Sequence, residues 1–211
     1  LTQNEAAYVS SGAAAGLTLA TAACVVGNDV TKRNIFPDLR GLKNEVIVQR
    51  SHRNGYDYAV RQVGVNLVEI GDEHGTSSDD LLRAMNEKTA AIFWFQGAMN
   101  TSTELPLHEV IAIASTKDIP VIVDAAAQLP PASNLWNFTK MGAALAIFSG
   151  GKDLCGPQSS GLVLGRADLV EACRLHGSPN QAIGRPMKVG KEEMMGLLAA
   201  VERYLELDHE A

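Results

Sequence analysis

A lysine behind two glycines is the first feature of this sequence whose type and position suggest chemistry. Lys152 follows Ser149, Gly150 and Gly151, at the end of an apolar run at 143–149 that predicts a buried strand. Glycines let the backbone approach a ligand closely, and a desolvated lysine amine can form a Schiff base with a carbonyl group. The spacing alone leaves a lysine on an exposed loop as an equally weighted alternative.

An aspartate closes the preceding apolar run, at 119–124. Burying an unpaired carboxylate is costly, so Asp124 needs a partner, and a protonated ring nitrogen is one that would serve. The competing interpretation is that Asp124 caps the turn that follows it. Ligands of open parallel sheets bind outside the carboxyl ends of the strands. Because Asp124 and Lys152 follow successive strands, we expect both at the same edge of the sheet, and the pair indicates a site more strongly than either residue alone.

The N-terminus of a predicted helix at 12–24 is a third candidate. Ser11, Gly12 and Ala13 open it with small residues. The unpaired N–H groups of a first helical turn and the helix dipole together favour an anion such as a phosphate. Many helices begin in this way for packing reasons only, so the signal is weak by itself.

Further polar residues follow strands or stand in loops. His52 comes three residues after the strand at 45–49 and could stack on a planar ligand, although a lone histidine is more often a surface or core residue. Gln128 lies one turn beyond Asp124 and is expected to face the same crevice. Arg185 and Lys188 stand in a loop and could bind a carboxylate or a phosphate, or form a solvated basic loop.

Composition excludes several classes of protein. The 211 residues carry a net charge of −6, which argues against a broad nucleic-acid-binding face, and no apolar run is long enough to cross a membrane. Three cysteines, an odd number without metal-ligand spacing, favour a reduced cytoplasmic protein with no metal site. The chain starts at Leu1 and its last predicted helix runs almost to the end, so we expect a fragment of a longer protein.

Helical and strand patterns alternate along the chain, which predicts an α/β fold with three layers, α/β/α, around a mainly parallel sheet. Strands are expected at 45–49, 65–70, 89–95, 119–124, 143–149 and 161–165. Helices are expected at 12–24, 56–63, 81–88, 107–117, 136–142, 167–175 and 191–207.

Four stretches of sequence carry a family resemblance. The runs at 121–131, 148–152 and 156–161 resemble pyridoxal 5'-phosphate (PLP) enzymes of fold type I. With the run at 184–193, they are similar to the selenocysteine synthase (L-seryl-tRNA selenium transferase) superfamily, and within it to the D-glucosaminate-6-phosphate ammonia-lyase branch. The similarity covers nearly the whole chain and is more specific for the superfamily than for the branch.

The resemblance implies a role for each candidate. Lys152 would hold PLP as a Schiff base, and Asp124 would keep the pyridine nitrogen protonated. His52 would stack on the ring, Gln128 would approach its exocyclic oxygen, and Arg185 would bind the substrate carboxylate. The cofactor phosphate would be bound by the residues that open the first helix and by one hydroxyl: Ser11, Gly12, Ala13 and Ser149.

The resemblance also implies a function. Residues 1–211 would form the large PLP-binding domain, without the N-terminal segment and the small C-terminal domain of such enzymes. The expected reaction is elimination of water and ammonia from an amino acid or amino sugar acid, giving a 2-keto acid, in a homodimer or larger assembly. Selenocysteine synthesis on seryl-tRNA is the first alternative, and a non-catalytic domain that binds PLP or only dimerises is the second.

Overall fold

The computed structural model describes residues 1–97, 103–207 and 209. Seven strands form one sheet in the order β1-β7-β6-β5-β4-β2-β3. Their bounds are β1 Ala6–Ser10, β2 Glu45–Gln49, β3 Asn66–Ile70, β4 Thr89–Phe95, β5 Val121–Asp124, β6 Leu145–Ser149 and β7 Gly161–Gly165. Only β7 is antiparallel to its neighbours within this sheet, so the other six strands run in one direction.

Helices cover both faces of the sheet. Their bounds are α1 Ala13–Val26, α2 Tyr58–Arg61, α3 Ser78–Ala84, α4 Leu107–Ser115, α5 Asn134–Met141, α6 Ala167–His176 and α7 Lys191–Glu206. One core packs α1, α2 and α6 against the sheet, and the other packs α3, α4, α5 and α7 against the opposite face. The predicted three-layer α/β/α fold is therefore confirmed.

The central strand β4 shows why the chain folds this way. All seven of its residues are buried, as expected of a strand covered on both faces. Side chains alternate between the faces of a strand: Ile92 and Trp94 enter the core beneath α3 and α4, and Phe93 and Phe95 enter the core beneath α1.

The first strand, β1, was not predicted, and it determines where the first helix begins. β1 pairs with β7, and Ser10 lies opposite Gly161, which in turn lies opposite Ser149 of β6. Because β7 reverses the direction of the chain between them, β1 and β6 are parallel and end at the same edge. Helix α1 therefore begins at the edge where Asp124 and Ser149 end their strands.

Two predicted helices were displaced. The helix expected at 81–88 spans Ser78–Ala84 instead, because Ser77 and Asp80 form a reciprocal capping box that starts it earlier. The helix expected at 56–63 is a 3₁₀ turn, Gly55–Asp57, followed by the four residues of α2. Across the described parts of the chain, no helix is long and apolar enough to span a bilayer.

Candidate functional site

A cavity of about 540 Å³ opens at the carboxyl edge of the sheet. Residues that follow β2, β4, β5 and β6 line it, together with the first residues of α1. Of the residues predicted to form the site, seven contribute to its wall: Gly12, Ala13, His52, Asp124, Gln128, Ser149 and Lys152. The rule that ligand sites lie beyond the carboxyl ends of parallel strands therefore located the cavity correctly.

Asp124 is the buried acid of this cavity, with 8% of its surface exposed. Its Oδ1 accepts a hydrogen bond from the backbone N–H of Ala126 at 3.0 Å, so the turn-capping interpretation is realised for one oxygen. Burial raises the pKa of Asp124 above that of an ordinary aspartate, although the N–H of Ala126 and the positive charge of Lys152 act in the opposite direction. A carboxylate held in this way gains from a cationic partner inside the cavity.

Lys152 is carried by a compact loop between β6 and β7. The N–H of Gly150 donates to the carbonyl of Ser160, and the N–H of Gly156 donates to the carbonyl of Gly150, both at 2.8 Å. A Cβ at Gly150 would lie 2.1 Å from the Oγ of Ser160, so a larger residue here would displace the Ser160 side chain. The glycines before Lys152 therefore let the loop pack against β7 while the lysine lines the cavity.

The start of α1 forms part of the cavity wall. Gly12 precedes the helix with a φ of +97°, and Gly12, Ala13 and Ala14 line the wall. A Cβ at Gly161 would lie 2.4 Å from the carbonyl carbon of Gly12, so glycine at 161 allows this end of the helix to approach the sheet. The N–H groups of the first helical turn thus lie beside the cavity, where an anion can accept from them.

Ser11 is placed differently from its neighbours. Its hydroxyl donates to the backbone carbonyl of Met187 at 3.1 Å, and Ser11 is not among the residues that line the cavity. Its predicted contact with a cofactor phosphate stays a prediction.

His52 forms part of the wall from the β2 side. It is 4% exposed, and its Nε2 lies 2.8 Å from Oε2 of Glu104. Its ring packs edge-on to Trp94, with 4.5 Å between the ring centroids. Burial lowers the pKa of His52 below that of an ordinary histidine, although Glu104 acts to raise it. Neutral imidazole therefore predominates at neutral pH.

Gln128 is held by a short chain of hydrogen bonds. Its Nε2 donates to the backbone carbonyl of Gln96 at 3.2 Å, and the backbone carbonyl of Gln128 accepts from Nδ2 of Asn134 at 2.6 Å. Gln96 also lines the cavity and was missed from the sequence. It follows β4 directly, as Asp124 ends β5, and inspection of every strand end would have found it.

Arg185 is exposed and does not line the cavity, so its predicted contact with a substrate carboxylate stays a prediction. The cation found at the wall besides Lys152 is Arg53, which the sequence did not single out. Arg53 is engaged by two acids: its Nε lies 2.5 Å from Oδ2 of Asp57, and its Nη1 pairs with Glu69.

These residues fit PLP in the chemistry that they offer. The cavity combines a buried carboxylate for a ring nitrogen, an amine for a carbonyl carbon and a helix N-terminus for a phosphate. Its volume lies within the roughly 300–1,000 Å³ of ordinary small-molecule sites. The roles of the individual residues remain predictions.

Comparison with known proteins shows the family of the chain. The family model for L-seryl-tRNA selenium transferase matches residues 3–211, and the chain belongs to this family. Among curated proteins, a 5'-C-glycyluridine monooxygenase-decarboxylase of Streptomyces sp is 38% identical, over 99% of this chain and 52% of its own length. The D-glucosaminate-6-phosphate ammonia lyase of Salmonella typhimurium is 34% identical, over 95% of this chain and 53% of its own length. The chain thus spans about half the length of these relatives.

Solved structures confirm the fold. A D-glucosaminate-6-phosphate ammonia-lyase superimposes with a TM-score of 0.90 at 33% identity, over 99% of this chain and 56% of that one. The PLP-dependent protein YhfS from Escherichia coli superimposes with a TM-score of 0.64 at 17% identity, over 94% of this chain and 48% of that one. The family and fold predicted from the sequence are therefore confirmed, and the names of these proteins agree with the expected class of PLP-dependent enzyme.

Proposed function

We propose that this chain is the PLP-binding domain of an enzyme that eliminates water and ammonia from an amino acid or amino sugar acid. The observation that carries the proposal is the juxtaposition of Asp124 and Lys152 at one cavity, with the start of α1 beside them. The similarity to a curated ammonia-lyase sequence at 34% identity, and to a solved ammonia-lyase structure at 33% identity, supports this choice of reaction.

The residues divide the work of binding and catalysis. Asp124 pairs with the pyridine nitrogen, and the α1 N-terminus with the hydroxyl of Ser149 binds the phosphate. Lys152 holds the cofactor until substrate enters, and its amine then takes the proton from Cα of the substrate as a general base. PLP, when bound, acts as the electron sink for the bonding pair that this proton leaves behind.

The proposed reaction needs a substrate with a hydroxyl on Cβ, which serves as the leaving group. The Cα–H bond breaks first, and its proton goes to Lys152. The Cβ–O bond then breaks and the hydroxyl leaves as water with that proton. The electron pair left on Cα forms a Cα=Cβ double bond as the hydroxyl leaves. A proton from water then adds to Cβ, and one water replaces the amine at Cα. This releases ammonia and leaves a 2-keto acid, so the net change is the loss of ammonia. The proposed substrate is thus a small amino acid or amino sugar acid.

The first experiment is to record the visible spectrum of the protein with PLP, reduce the complex with borohydride and locate the modified peptide. We expect a visible absorption band from the Schiff base and a pyridoxyl group on Lys152. Lys152→Ala should remove the label and abolish turnover of amino acid substrates.

Lys140→Ala is the matched control for that substitution. Lys140 lies on the surface, where it bonds Gln3 and stacks over Trp136, so its loss should leave the label unchanged. Labelling of other lysines in place of Lys152, or full activity of Lys152→Ala, would overturn the proposal. PLP binding without turnover of any amino acid would favour the non-catalytic domain.

Transfer of selenium to seryl-tRNA is a second candidate, because the matching family model carries that name. The net charge of −6 counts against it, since tRNA binding depends on clustered cations. A gel shift with seryl-tRNA at physiological salt separates the candidates: retention of the tRNA favours the transferase, and no retention favours a small substrate.

Oxidative decarboxylation is a third candidate, because the relative at 38% identity is named as a monooxygenase-decarboxylase. Such a reaction consumes O₂ and releases CO₂, whereas the elimination does neither. An oxygen electrode therefore distinguishes them in the assay that detects ammonia and 2-keto acid. Substrate-dependent O₂ uptake without ammonia would replace the lyase proposal.

We further infer that the domain works as a homodimer or larger assembly. Tyr56 and Tyr58 are 68% and 61% exposed, and Tyr56 lies at the cavity wall. Exposed tyrosines beside a site are typical of interfaces, where aromatic residues are enriched. Analytical ultracentrifugation tests this inference, and a monomer at every concentration, with and without PLP, would contradict it.

A further inference from the structure

Glu104 lies behind the cavity wall, in contact with His52. The two side chains are 52 residues apart in sequence, yet Oε2 of Glu104 lies 2.8 Å from Nε2 of His52. The side chains are 14% and 1% exposed respectively, so the contact is largely shielded from water. Contacts of this kind are shorter and stronger than neutral hydrogen bonds.

A second contact constrains the same ring. The rings of His52 and Trp94 meet at an interplanar angle of 84°. Trp94 is itself held, because its Nε1–H donates to Oε1 of Gln96 at 2.7 Å. Since Trp94 can only donate, this bond also fixes which end of the Gln96 amide is the oxygen. His52 is therefore oriented by a carboxylate at its Nε2 and by a tryptophan that cannot turn freely.

We propose that Glu104 is a positioning residue, which holds His52 as the Nε2–H tautomer and sets the angle of its ring in the cavity wall. A carboxylate accepts hydrogen bonds, so the imidazole nitrogen that faces it carries the proton. The pair resembles the carboxylate–histidine pairs that orient metal-binding histidines from behind. Here the oriented group is a ring that faces a planar ligand, and that part of the inference rests on the function proposed above.

The tautomer of His52 can be read directly from the nitrogen shifts of its imidazole by NMR at pH 7.5. We expect the wild-type protein to show protonated Nε2 and unprotonated Nδ1. Glu104→Ala should give averaged shifts of a mixed tautomer, and PLP affinity should fall about tenfold, the lower end of the loss seen when a residue that orients a binding histidine is removed. Glu104→Gln, whose amide oxygen can still accept, should restore both the tautomer and most of the affinity.

Glu109→Ala is the matched control. Glu109 lies on α4, where it accepts a long hydrogen bond of 3.4 Å from Ser78, and it does not line the cavity. Its loss should leave the His52 shifts and the PLP affinity unchanged.

Two results would overturn the proposal: protonated Nδ1 in the wild-type protein, or an unchanged tautomer in Glu104→Ala. The first needs no variant, so it decides the question even if Glu104→Ala fails to fold. Failure of the proposed function has a different signature. If the wild-type chain binds no PLP, the NMR result still shows whether Glu104 orients His52.

Discussion

Two buried aspartates in this molecule have opposite surroundings. Asp57 is 1% exposed and bonds two guanidinium groups, with Nε of Arg53 at 2.5 Å and Nε of Arg61 at 2.8 Å. Burial acts to raise the pKa of Asp57, but the two arginines outweigh it and hold that pKa below the ordinary value. Asp124 is 8% exposed and accepts a single backbone hydrogen bond from the described residues, so burial prevails and raises its pKa.

The difference separates a structural carboxylate from one available to a ligand. The fold gives each carboxylate oxygen of Asp57 a guanidinium partner, and removing one partner of a buried ion pair costs stability. Asp124 keeps bonding capacity that a cationic ligand can use, at the expense of stability in the ligand-free protein. Perturbed groups of the second kind tend to cluster at functional sites.

The largest effect is expected from Asp124→Asn. An amide cannot keep a pyridine nitrogen protonated, so we expect turnover to fall about 100-fold or more, the scale of losing a key electrostatic contact. Steady-state kinetics with saturating PLP measures this loss. Activity within a few-fold of wild type would show that turnover does not depend on the carboxylate of Asp124.

The same variant should be more stable than the wild type without cofactor. Because folding raises the pKa of Asp124, its charged form opposes folding, and this penalty grows as pH rises through the folded pKa. Urea unfolding of the PLP-free proteins at pH 7 should therefore favour the asparagine variant. The difference should vanish below about pH 4, where the acid is protonated in both states.

Asp57→Asn should give the reverse result. We expect a loss of about 2 kcal/mol in the free energy of unfolding at pH 7, since two charged hydrogen bonds are weakened. Folding lowers the pKa of Asp57, so its contribution is present above about pH 4 and disappears as pH falls through the folded pKa. Turnover per folded molecule should change little. Asp38→Asn, which alters an exposed pair with Arg40, is the control and should leave unfolding unchanged.

The smallest effects are expected from replacing the two arginines that bond Asp57. Arg53→Ala should cost about 1 kcal/mol, because Arg53 serves both Asp57 and Glu69. Arg61→Ala should cost less, because Arg61 is more exposed and bonds Asp57 alone among those acids. Arg53 also lines the cavity, so only Arg53→Ala should weaken PLP binding, as measured by titration of the visible absorbance. An equal loss of PLP affinity in Arg53→Ala and Arg61→Ala would contradict a role of Arg53 in the cavity.

The sequence predicted the parts of the fold that depend on local pattern. The bounds of β2, β4 and β7 were correct to the residue, because their apolar runs are short and clearly delimited. Strand β1 was missed, since its five residues are mostly half-buried and, within the described sheet, it lies at the edge and pairs with β7. Its place at the sheet edge depends on the direction of β7, which no local pattern encodes.

In the candidate site, too, local pattern predicted some residues, whereas contacts between residues far apart in the chain could not be predicted. The roles of Asp124, Lys152 and His52 stay predictions, but their place at the cavity, at or just after strand ends, was predicted. Glu104 was not, because its contact with His52 joins residues far apart in the chain and follows no spacing. Ser11 was expected at the phosphate, yet its hydroxyl bonds the carbonyl of Met187, a contact that only the packing of the loop before α7 creates.

The reversed strand β7 has a consequence for the order of folding. Ser10 pairs with Gly161, so the first strand joins the sheet through a contact that closes a loop of about 150 residues. Contacts of such long range form late, since the chain between them must first be ordered. We therefore expect β1, which carries the helix start that faces the cavity, to be one of the last strands to dock. PLP binding should therefore require the complete sheet. A nascent chain should become yellow with bound PLP only after β7 has joined the sheet.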